Sequence, residues 1–573
     1  MTRIFGNPSS FVAEALSGFC DLNANYVRPV NGGVVRSSST PSGKVAVVVG
    51  GGSGHYPAFA GYVGSGLADG AVVGEVFTSP STKLVVDVAR QASRGGGVLL
   101  TFGNYAGDVL NFGAAARQLT ADGITTHILP VTDDIASGSA DETAKRRGIA
   151  GNVVVYKIAG AAAEAGYDLD GVLRVATAAN NRTRSLGVAF SGVTLPGDAE
   201  PMFTVEEATM DVGLGIHGEA GVSTQSMTNA EGLAKLLVDE VLANAPTGAN
   251  NRVAALLNGL GSTKYEELFV LWSHVSRLLR EAGLELVAPV AGEFVTSLDM
   301  AGCSLTVSWL DDELEQLWVS PAQTPAFHRG ETIATEPDQS VTTAAAGTPE
   351  EVFPEATAQS RAMAARIVAA LARNADTLRD AETQLGELDS FAGDGDHGHG
   401  MARGSRAASD AADAAYSRGA GARSVLQAAA DAWAERAGGT SGALWGMGLR
   451  AVGSEFSDTD TVTLPDVVRG ARAALDAVVG AGGAKIGDKT LVDALEPLVT
   501  TLEKESGEGA DAQQLWASAA AAATAAAEAT ASLTPRLGRA RPLAERSVGH
   551  PDAGAISLAL CARTLGTELE AQR

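Results

Sequence analysis

Three aspartates lie within eight residues of one glycine-rich segment. Asp389, Asp394 and Asp396 belong to the run LDSFAGDGDHGHGM, in which glycines surround them. Carboxylates this close repel one another unless a cation lies among them. Oxygen-only ligands suit Mg²⁺ or Ca²⁺ better than zinc, and the spacing is not that of an EF-hand loop. The segment therefore predicts a divalent-cation site, with a solvated acidic turn as the alternative. The interleaved His397 and His399 are more typical of polar lining than of metal ligands.

Loops that could hold phosphate follow further along the chain. They are GGTSG at 438–442, GDKT at 487–490 and the stretch 539–554, which ends in HPDAG. Gly, Thr and Ser at helix starts offer backbone N–H groups and hydroxyls to phosphate oxygens. The GxxxxGK[ST] spacing of a P-loop is absent, so a nucleotide must be held by a different scaffold. Each loop alone is more typical of a helix cap, but together with the aspartates the loops favour a Mg–nucleotide site.

Two histidines and an aspartate lie in glycine-rich turns of the first half. His55 ends GGGSGH, which directly follows the apolar run KVAVVV, and Asp108 ends GNYAGD after another apolar run. His217 lies between glycines in GLGIHGE. A glycine-rich turn at the carboxyl end of a strand commonly cradles a phosphate or a hydroxyl, and no GxGxxG points to a dinucleotide. His55 alone is as typical of a cap as of a general base, but the three groups together predict a polar small-molecule pocket.

The elements that must position these residues differ between the two halves. Over 1–330, apolar strands that end in glycine alternate with helical stretches, which predicts buried, mostly parallel sheets in two α/β lobes. The run 152–158 is predicted as one of these strands. Residues 331–358, rich in Thr, Ala, Pro and Glu, predict a linker. Over 359–573 apolar residues recur at i, i+3 and i+4, which predicts an all-α domain.

Composition narrows the functional classes. The 573 residues carry a net charge of −25 and are 45% hydrophobic, so the chain can bury substantial cores. The negative electrostatic field of such a chain repels nucleic-acid backbones and anionic membrane surfaces. Three widely separated cysteines exclude a disulfide scaffold and a Cys-based zinc site. With no signal-peptide pattern and no apolar run near ~20 residues, we predict a cytoplasmic protein that binds neither nucleic acid nor membrane.

These motifs, in this order and spacing, resemble the dihydroxyacetone kinase family in its fused, ATP-dependent form. GGGSGHYP, GNYAGD and GLGIHGE match the ketose-binding part, and LDSFAGDGD, GGTSG, GDKT and GRARPLAERSVGHPDAG match the nucleotide-binding part. The resemblance covers nearly the whole chain. It implies a two-lobed α/β ketose-binding domain over 1–330, the linker 331–358, and an eight-helix barrel over 359–573 that binds ATP and Mg²⁺. It also implies a homodimer formed through the ketose-binding domain.

The resemblance assigns roles to the residues of the ketose pocket. His217 would attack the C2 carbonyl of the ketose and hold it as a hemiaminal, which explains why a carbonyl compound is selected over glycerol. His55 would take the proton of the terminal hydroxyl, with Asp108 assisting. The hydroxyls of the sugar would be bound by Gly52, Ser53, Gly54, His55 and Asp108.

The resemblance also assigns roles in the nucleotide half. Asp389, Asp394 and Asp396 would hold two Mg²⁺ ions that neutralise charge during phosphoryl transfer. The residues that match nucleotide-contacting segments are His397, Gly398, His399, Gly400, Thr440, Ser441, Gly487, Arg539, Asp552, Ala553 and Gly554. An FMN-cyclase side activity, seen in some relatives, would use the same nucleotide site.

Two positions depart from the family pattern. Gly103 stands where many relatives have a lysine that contacts the substrate, and the loss of that side chain would enlarge the pocket for a longer ketose. His397 stands where many relatives have cysteine, which affects the nucleotide contacts rather than the metal ligands. The segments FTSPS and TKYEELF resemble the actinobacterial erythrulose kinase branch more than the enzymes of glycerol pathways. The sequence therefore favours a kinase that makes erythrulose 4-phosphate.

Three alternatives stay open from the sequence. The substrate could be dihydroxyacetone, the chain could be a phosphotransferase-system component that keeps a bound ADP, or it could be a ketose-sensing regulatory protein without turnover. The fusion of both parts through 331–358 argues for free ATP. The presence of both the metal ligands and His217 argues against a regulatory protein that has lost activity.

Overall fold

A computed structural model describes residues 4–330, 352–391, 393, 395–437, 439–507, 511–537 and 544–571. The chain divides into two units, Met1–Glu336 and Pro337–Arg573. Of the predicted linker, only 352–358 falls among the described residues, and a helix already begins there at Ala358. The predicted site residues Asp394 and Arg539 lie outside the described residues.

The first lobe of the first unit is built on a six-stranded sheet. Its strands are β1 (Val27–Val30), β2 (Gly33–Arg36), β3 (Ala46–Ser53), β4 (Gly70–Val76), β5 (Val98–Gly103) and β6 (Thr126–Val131). The order across the sheet is β1-β2-β4-β3-β5-β6. β3 pairs in parallel with β4 and β5, and β5 with β6, whereas β1 and β2 extend the sheet antiparallel at one edge. The helices of this lobe are α1 (Phe11–Leu22), α2 (Thr82–Ala92), α3 (Ala106–Ala121), α4 (Asn152–Glu164) and α5 (Leu169–Asn181).

The second lobe is built on a seven-stranded sheet. Its strands are β7 (Thr183–Ala189), β8 (Thr209–Val212), β9 (Ser223–Ser226), β10 (Arg252–Gly259), β11 (Glu285–Leu286), β12 (Val290–Glu293) and β13 (Gly302–Trp309). The order is β11-β10-β13-β7-β8-β9, and β12 also pairs with β10. The helices are α6 (Ala230–Ala243), α7 (Tyr265–Glu281) and α8 (Asp312–Val319), and a short hairpin joins β14 (Ala322–Gln323) to β15 (His328–Arg329).

The two predicted α/β lobes are confirmed, but two details of the prediction are wrong. The second sheet is mostly antiparallel, because β10, β13, β7, β8 and β9 alternate in direction. β10 is buried almost throughout, so its continuous apolar run looks like that of a parallel strand. The run 152–158 is helix α4 rather than a strand. Every residue of α4 up to Ala163 is buried, which leaves no polar face to reveal the helical period.

The described part of the second unit contains only helices, as predicted. They are α9 (Ala358–Asp380), α10 (Glu382–Ser390), α11 (His397–Ser417), α12 (Ala422–Ala437), α13 (Gly439–Ser454), α14 (Leu464–Gly482), α15 (Val492–Glu505), α16 (Ala512–Ala529), α17 (Ala544–Ser547) and α18 (Ala553–Ala571). Small residues let these helices approach closely: a Cβ on Gly404 would lie 2.6 Å from the Cβ of Ala437. No helix among the described residues is long and apolar enough to span a membrane.

Candidate active site

The end of β3 and the turn after it carry the first predicted substrate-binding residues. Gly54 has φ +98°, which favours glycine, and a Cβ on Gly52 would lie 2.6 Å from the backbone nitrogen of Thr78. The hydroxyl of Ser53 donates to the carbonyl of Gly74 at 2.6 Å. The loop is therefore held close to the backbone of the neighbouring strand, and it directs the next residue, His55, into the lobe.

His55 is buried and fixed by two contacts. Its Nδ1 lies 2.7 Å from the carbonyl oxygen of Thr296, and its Nε2 lies 3.0 Å from Nε2 of His217. The ring stacks on Phe77, with 5.0 Å between ring centroids. Burial, together with the neighbouring His217, lowers the pKa of His55 to about 3, so the ring is neutral at neutral pH. Because a carbonyl only accepts hydrogen bonds, Nδ1 carries the proton and Nε2 keeps its lone pair.

His217 lies in the loop between β8 and β9 and faces His55 across the pocket. Its Nδ1 is 3.1 Å from Oε1 of Glu219, and Oε2 of the same carboxylate accepts the backbone N–H of His217 at 3.0 Å. The ring meets Tyr105 edge-on at 4.7 Å between centroids. Burial opposes ionisation of Glu219, but the hydrogen bond and charge of His217 prevail and lower the pKa of Glu219 to about 2. Glu219 is thus ionised and tied to the histidine.

Asp108 is buried in the first turn of α3, near the carboxyl end of β5. Its Oδ1 has no hydrogen-bond partner among the described residues. Burial raises the pKa of Asp108 to about 6, and interactions with Ser79 and His217 limit the rise. His55 and Asp108 follow parallel neighbours β3 and β5, so the topology brings them to the same edge of the sheet. The structure therefore brings His55, Asp108 and His217 close together.

Gly103, at the end of β5, is closely surrounded. A Cβ at this position would lie 3.0 Å from the carbonyl oxygen of Gly148 and 3.0 Å from the ring of Tyr105. The ring of Tyr105 therefore lies beside Gly103. That the missing lysine side chain makes room for a longer ketose stays a prediction.

A cavity of about 370 Å³ in the second unit collects most of the predicted nucleotide-binding residues. The amino ends of α11, α13, α15 and α18 meet around it, and helix amino ends favour anions. The predicted residues that line it are Asp389, Asp396, His397, His399, Gly400, Thr440, Ser441, Asp552, Ala553 and Gly554. Gly398 and Gly487 are not among its lining residues. A Cβ on Gly398 would overlap the carbonyl oxygen of Glu382, so this glycine lets α11 pack against α10.

Two of the three predicted metal ligands can be located. Asp389 and Asp396 line the same cavity, and Oδ2 of Asp389 accepts the backbone N–H of Gly395 at 2.9 Å. Within the described residues, which leave out Asp394, no group of three metal-ligating side chains occurs. A pair of carboxylates facing a cavity fits a hard divalent cation such as Mg²⁺.

The two histidines of the aspartate segment make contacts within the protein. Nε2 of His397 lies 3.0 Å from the hydroxyl of Ser557, so this buried ring ties α11 to α18. Burial lowers the pKa of His397. His399 is exposed, and its Nδ1 lies 3.1 Å from Oε1 of Glu382. A nucleotide contact by either ring would have to add to these interactions.

The lysine of GDKT is buried beside the cavity and has backbone partners. Lys489 has φ +61°, and its Nζ donates to the carbonyls of Leu533 at 3.1 Å and Ser547 at 2.7 Å. Asp552 directly precedes α18, and its Oδ1 accepts the N–H of Ala555 at 2.7 Å. Burial and the neighbouring Asp493 raise the pKa of Asp552 to about 7, and the charge of Lys489 opposes the rise. Sequence reasoning missed the roles of Lys489 and Glu219, although both lie inside motifs that it quoted.

Two family models match the chain. The Dak1 domain covers residues 17–326, and the DAK2 domain covers residues 391–567. Three characterised relatives are similar over nearly their full length. A D-erythrulose kinase of Mycolicibacterium smegmatis is 55% identical, with 99% of this chain and 98% of the relative covered. An L-erythrulose kinase of Pectobacterium atrosepticum is 53% identical, with 98% and 95% covered. An L-erythrulose 1-kinase of M. smegmatis is 50% identical, with 99% and 100% covered.

Solved structures agree with the sequence comparison. The dihydroxyacetone kinase of C. freundii in its native form superimposes with a TM-score of 0.59 and 31% identity, with 99% of both chains covered. The same kinase in complex with AMP-PNP and Mg²⁺ gives a TM-score of 0.58 over the same share.

Proposed function

This chain belongs to the dihydroxyacetone kinase family in its fused form, and on that premise we propose that it phosphorylates a terminal hydroxyl of erythrulose with ATP, giving erythrulose 4-phosphate. The observation that carries this proposal is identity of 50–55% to three erythrulose kinases over 98–99% of the chain. The names of these relatives include both enantiomers and, in one case, the 1-hydroxyl. The enantiomer and the phosphorylated position are therefore part of the test.

The ketose would be held covalently by His217. Nε2 of His217 faces the pocket, and bond formation to the carbonyl carbon requires a lone pair on this atom. Glycerol has no electrophilic carbon, so this step selects ketoses. The unpaired Oδ1 of Asp108 would accept a hydrogen bond from a sugar hydroxyl, and the backbone around Gly52, Ser53 and Gly54 would position the chain of the sugar.

His55 would take the proton of the hydroxyl that attacks ATP. Its Nδ1 donates to Thr296, so its Nε2 is the available base. A ring whose pKa is about 3 accepts a proton only late, once the hydroxyl oxygen has begun to bond to phosphorus. A loose phosphoryl-transfer transition state places little demand on the base, so this weak base is sufficient.

The nucleotide would occupy the cavity of the second unit. Asp389 and Asp396, together with Asp394, would hold two Mg²⁺ ions, which when bound neutralise charge on the phosphates. The amino ends of α11, α13 and α18 would donate backbone N–H groups to phosphate oxygens, with Thr440 and Ser441 adding hydroxyls.

From the family resemblance we also propose a homodimer and a cytoplasmic location. Light scattering on the purified full chain tests the dimer.

The test is a coupled assay of ADP release from Mg-ATP with D- and L-erythrulose, dihydroxyacetone, D-glyceraldehyde and glycerol. We expect the highest kcat/KM for one erythrulose enantiomer and no turnover of glycerol. A higher kcat/KM for dihydroxyacetone would show that dihydroxyacetone rather than erythrulose is the substrate, and it would leave the kinase activity standing. The absence of ADP release with every ketose would contradict the kinase and favour a ketose-binding regulatory protein.

A further inference from the structure

We propose that Glu219 is a positioning residue for the covalent step, because its carboxylate holds the Nδ1 proton of His217 and thereby directs the Nε2 lone pair toward the ketose. The inference rests on the proposed function, in which His217 forms the bond to the substrate. It adds a residue that the family motif alone did not single out.

Counting protons on the paired histidines supports this role. The carbonyl of Thr296 and the carboxylate of Glu219 only accept hydrogen bonds, so Nδ1 carries a proton on both His55 and His217. The two Nε2 atoms, 3.0 Å apart, then have one lone pair each in the neutral rings. His55 is neutral, so it brings no additional proton, and its Nε2 lone pair faces that of His217. The tautomer of His217 is therefore set by Glu219, in the way that an outer carboxylate orients a catalytic histidine.

Glu219 is itself held in place by an arginine. Arg147 lies 3.8 Å from Oε2 of Glu219, and its guanidinium binds Asp134 at 2.8 Å and the carbonyl of Gly213 at 3.1 Å. Both Arg147 and Asp134 are largely buried, so water screens this chain of charges little. A Cβ on Gly215 would overlap Oε2 of Glu219 and lie 2.5 Å from Nη1 of Arg147. Only glycine at position 215 leaves room for this arrangement.

The covalent step balances in atoms and in charge. When the ketose enters, the Nε2 lone pair of His217 forms the bond to C2. The π bond of C2=O breaks toward oxygen, which takes up one proton from solvent. The substituted ring of His217 is left with one positive charge, and the carboxylate of Glu219 neutralises it through the Nδ1–H bond. His55 stays neutral throughout, and its Nε2 lone pair is available to the terminal hydroxyl.

The experiment compares Glu219→Gln with the wild-type full chain. An amide is isosteric with the carboxylate, but its NH₂ can donate to Nδ1 and so favour the wrong tautomer, as in a triad whose aspartate is replaced by asparagine. Adduct formation is measured without nucleotide by ¹³C NMR with dihydroxyacetone labelled at C2, and the tautomer of His217 by ¹⁵N NMR of histidine-labelled protein. The control is Glu207→Gln, which changes an exposed glutamate in the segment that precedes β8.

We expect the adduct of Glu219→Gln to fall by about 100-fold, with a mixed His217 tautomer and an unchanged unfolding temperature, since loss of outer-shell partners costs 10- to 100-fold or more. Glu207→Gln should match the wild type. Retention of the adduct and of the Nδ1–H tautomer in Glu219→Gln would overturn the inference, while ketose-dependent ADP release by the wild type would leave the proposed function standing. A wild-type protein that releases ADP with ketose but forms no adduct would overturn the inference alone, and one that does neither would overturn both.

Discussion

Substitution of Lys489 by methionine should weaken ATP binding without affecting the ketose pocket. The ammonium group donates to the carbonyls of Leu533 and Ser547, which bracket positions 534–546 in the chain. Each hydrogen bond from a charged donor contributes about 1.5 kcal/mol at the low end, so the two together hold the backbone at Leu533 and Ser547 with about 3 kcal/mol. A factor of ten in affinity corresponds to about 1.4 kcal/mol. When all of this free energy is coupled to nucleotide binding, its loss weakens the affinity for ATP about 100-fold.

The assay is the KM for ATP and the kcat of Lys489→Met at saturating ketose, with the adduct measured separately. We expect the KM for ATP to rise by up to about 100-fold, with kcat lowered much less, because the lysine binds backbone rather than phosphate. Lys489→Arg should recover part of the loss, and Lys485→Met, at an exposed lysine of the same loop, should behave as the wild type. An unchanged KM in Lys489→Met would refute the reasoning. A large loss of kcat at unchanged KM would show that the ammonium acts on the transferring phosphate instead.

Four further predictions follow from the site and the core. His217→Ala should abolish the ¹³C adduct and raise the KM for ketose more than it lowers kcat, since a non-covalent route remains. Asp389→Asn should abolish turnover and Mn²⁺ binding measured by EPR while the adduct persists, because the two groups lie on separate units. Ionisation of Asp108 near pH 6 should strengthen the hydrogen bond that it accepts from the sugar hydroxyl, so the pH profile of adduct affinity should bend upward there in the wild type and not in Asp108→Asn; a bend that persists would assign the titration elsewhere. Gly160→Ala, whose Cβ would overlap the carbonyl oxygen of Leu67, should lower the free energy of unfolding in urea by about 2–3 kcal/mol; an unchanged midpoint would contradict the packing.

The pattern of hydrophobic residues predicted the division into α/β lobes and helices, but it failed where burial was complete. Helix α4 is buried from Asn152 to Ala163, so NVVVYKI carries no polar face and its β-branched residues favoured a strand. Strand β10 is buried on both faces although its neighbour β13 runs antiparallel. In both cases the missing information was tertiary, because the sequence shows that a segment is buried but not what covers it.

The residues of the site also divide into those that the sequence could predict and those that it could not. Glycine-rich turns and acidic spacing pointed to His55, Asp108, His217 and the aspartate segment, because such local patterns have few structural uses. The sequence could not show that the ring of Tyr105 lies beside Gly103, since the contact depends on how the β5 loop turns. It also could not pair groups across long separations, such as the two histidine rings. Glu219 was detectable as the acidic end of GLGIHGE, two residues from the histidine that it orients.

The most direct test of the account is a competition between erythrulose and dihydroxyacetone in one reaction with limiting Mg-ATP. The full-length protein is used, and the products are quantified and their phosphorylated positions assigned by ³¹P and ¹³C NMR. We expect erythrulose 4-phosphate as the main product, with ATP consumed equal to sugar phosphate formed. Dihydroxyacetone phosphate as the main product, or ATP consumed without any sugar phosphate, would contradict it.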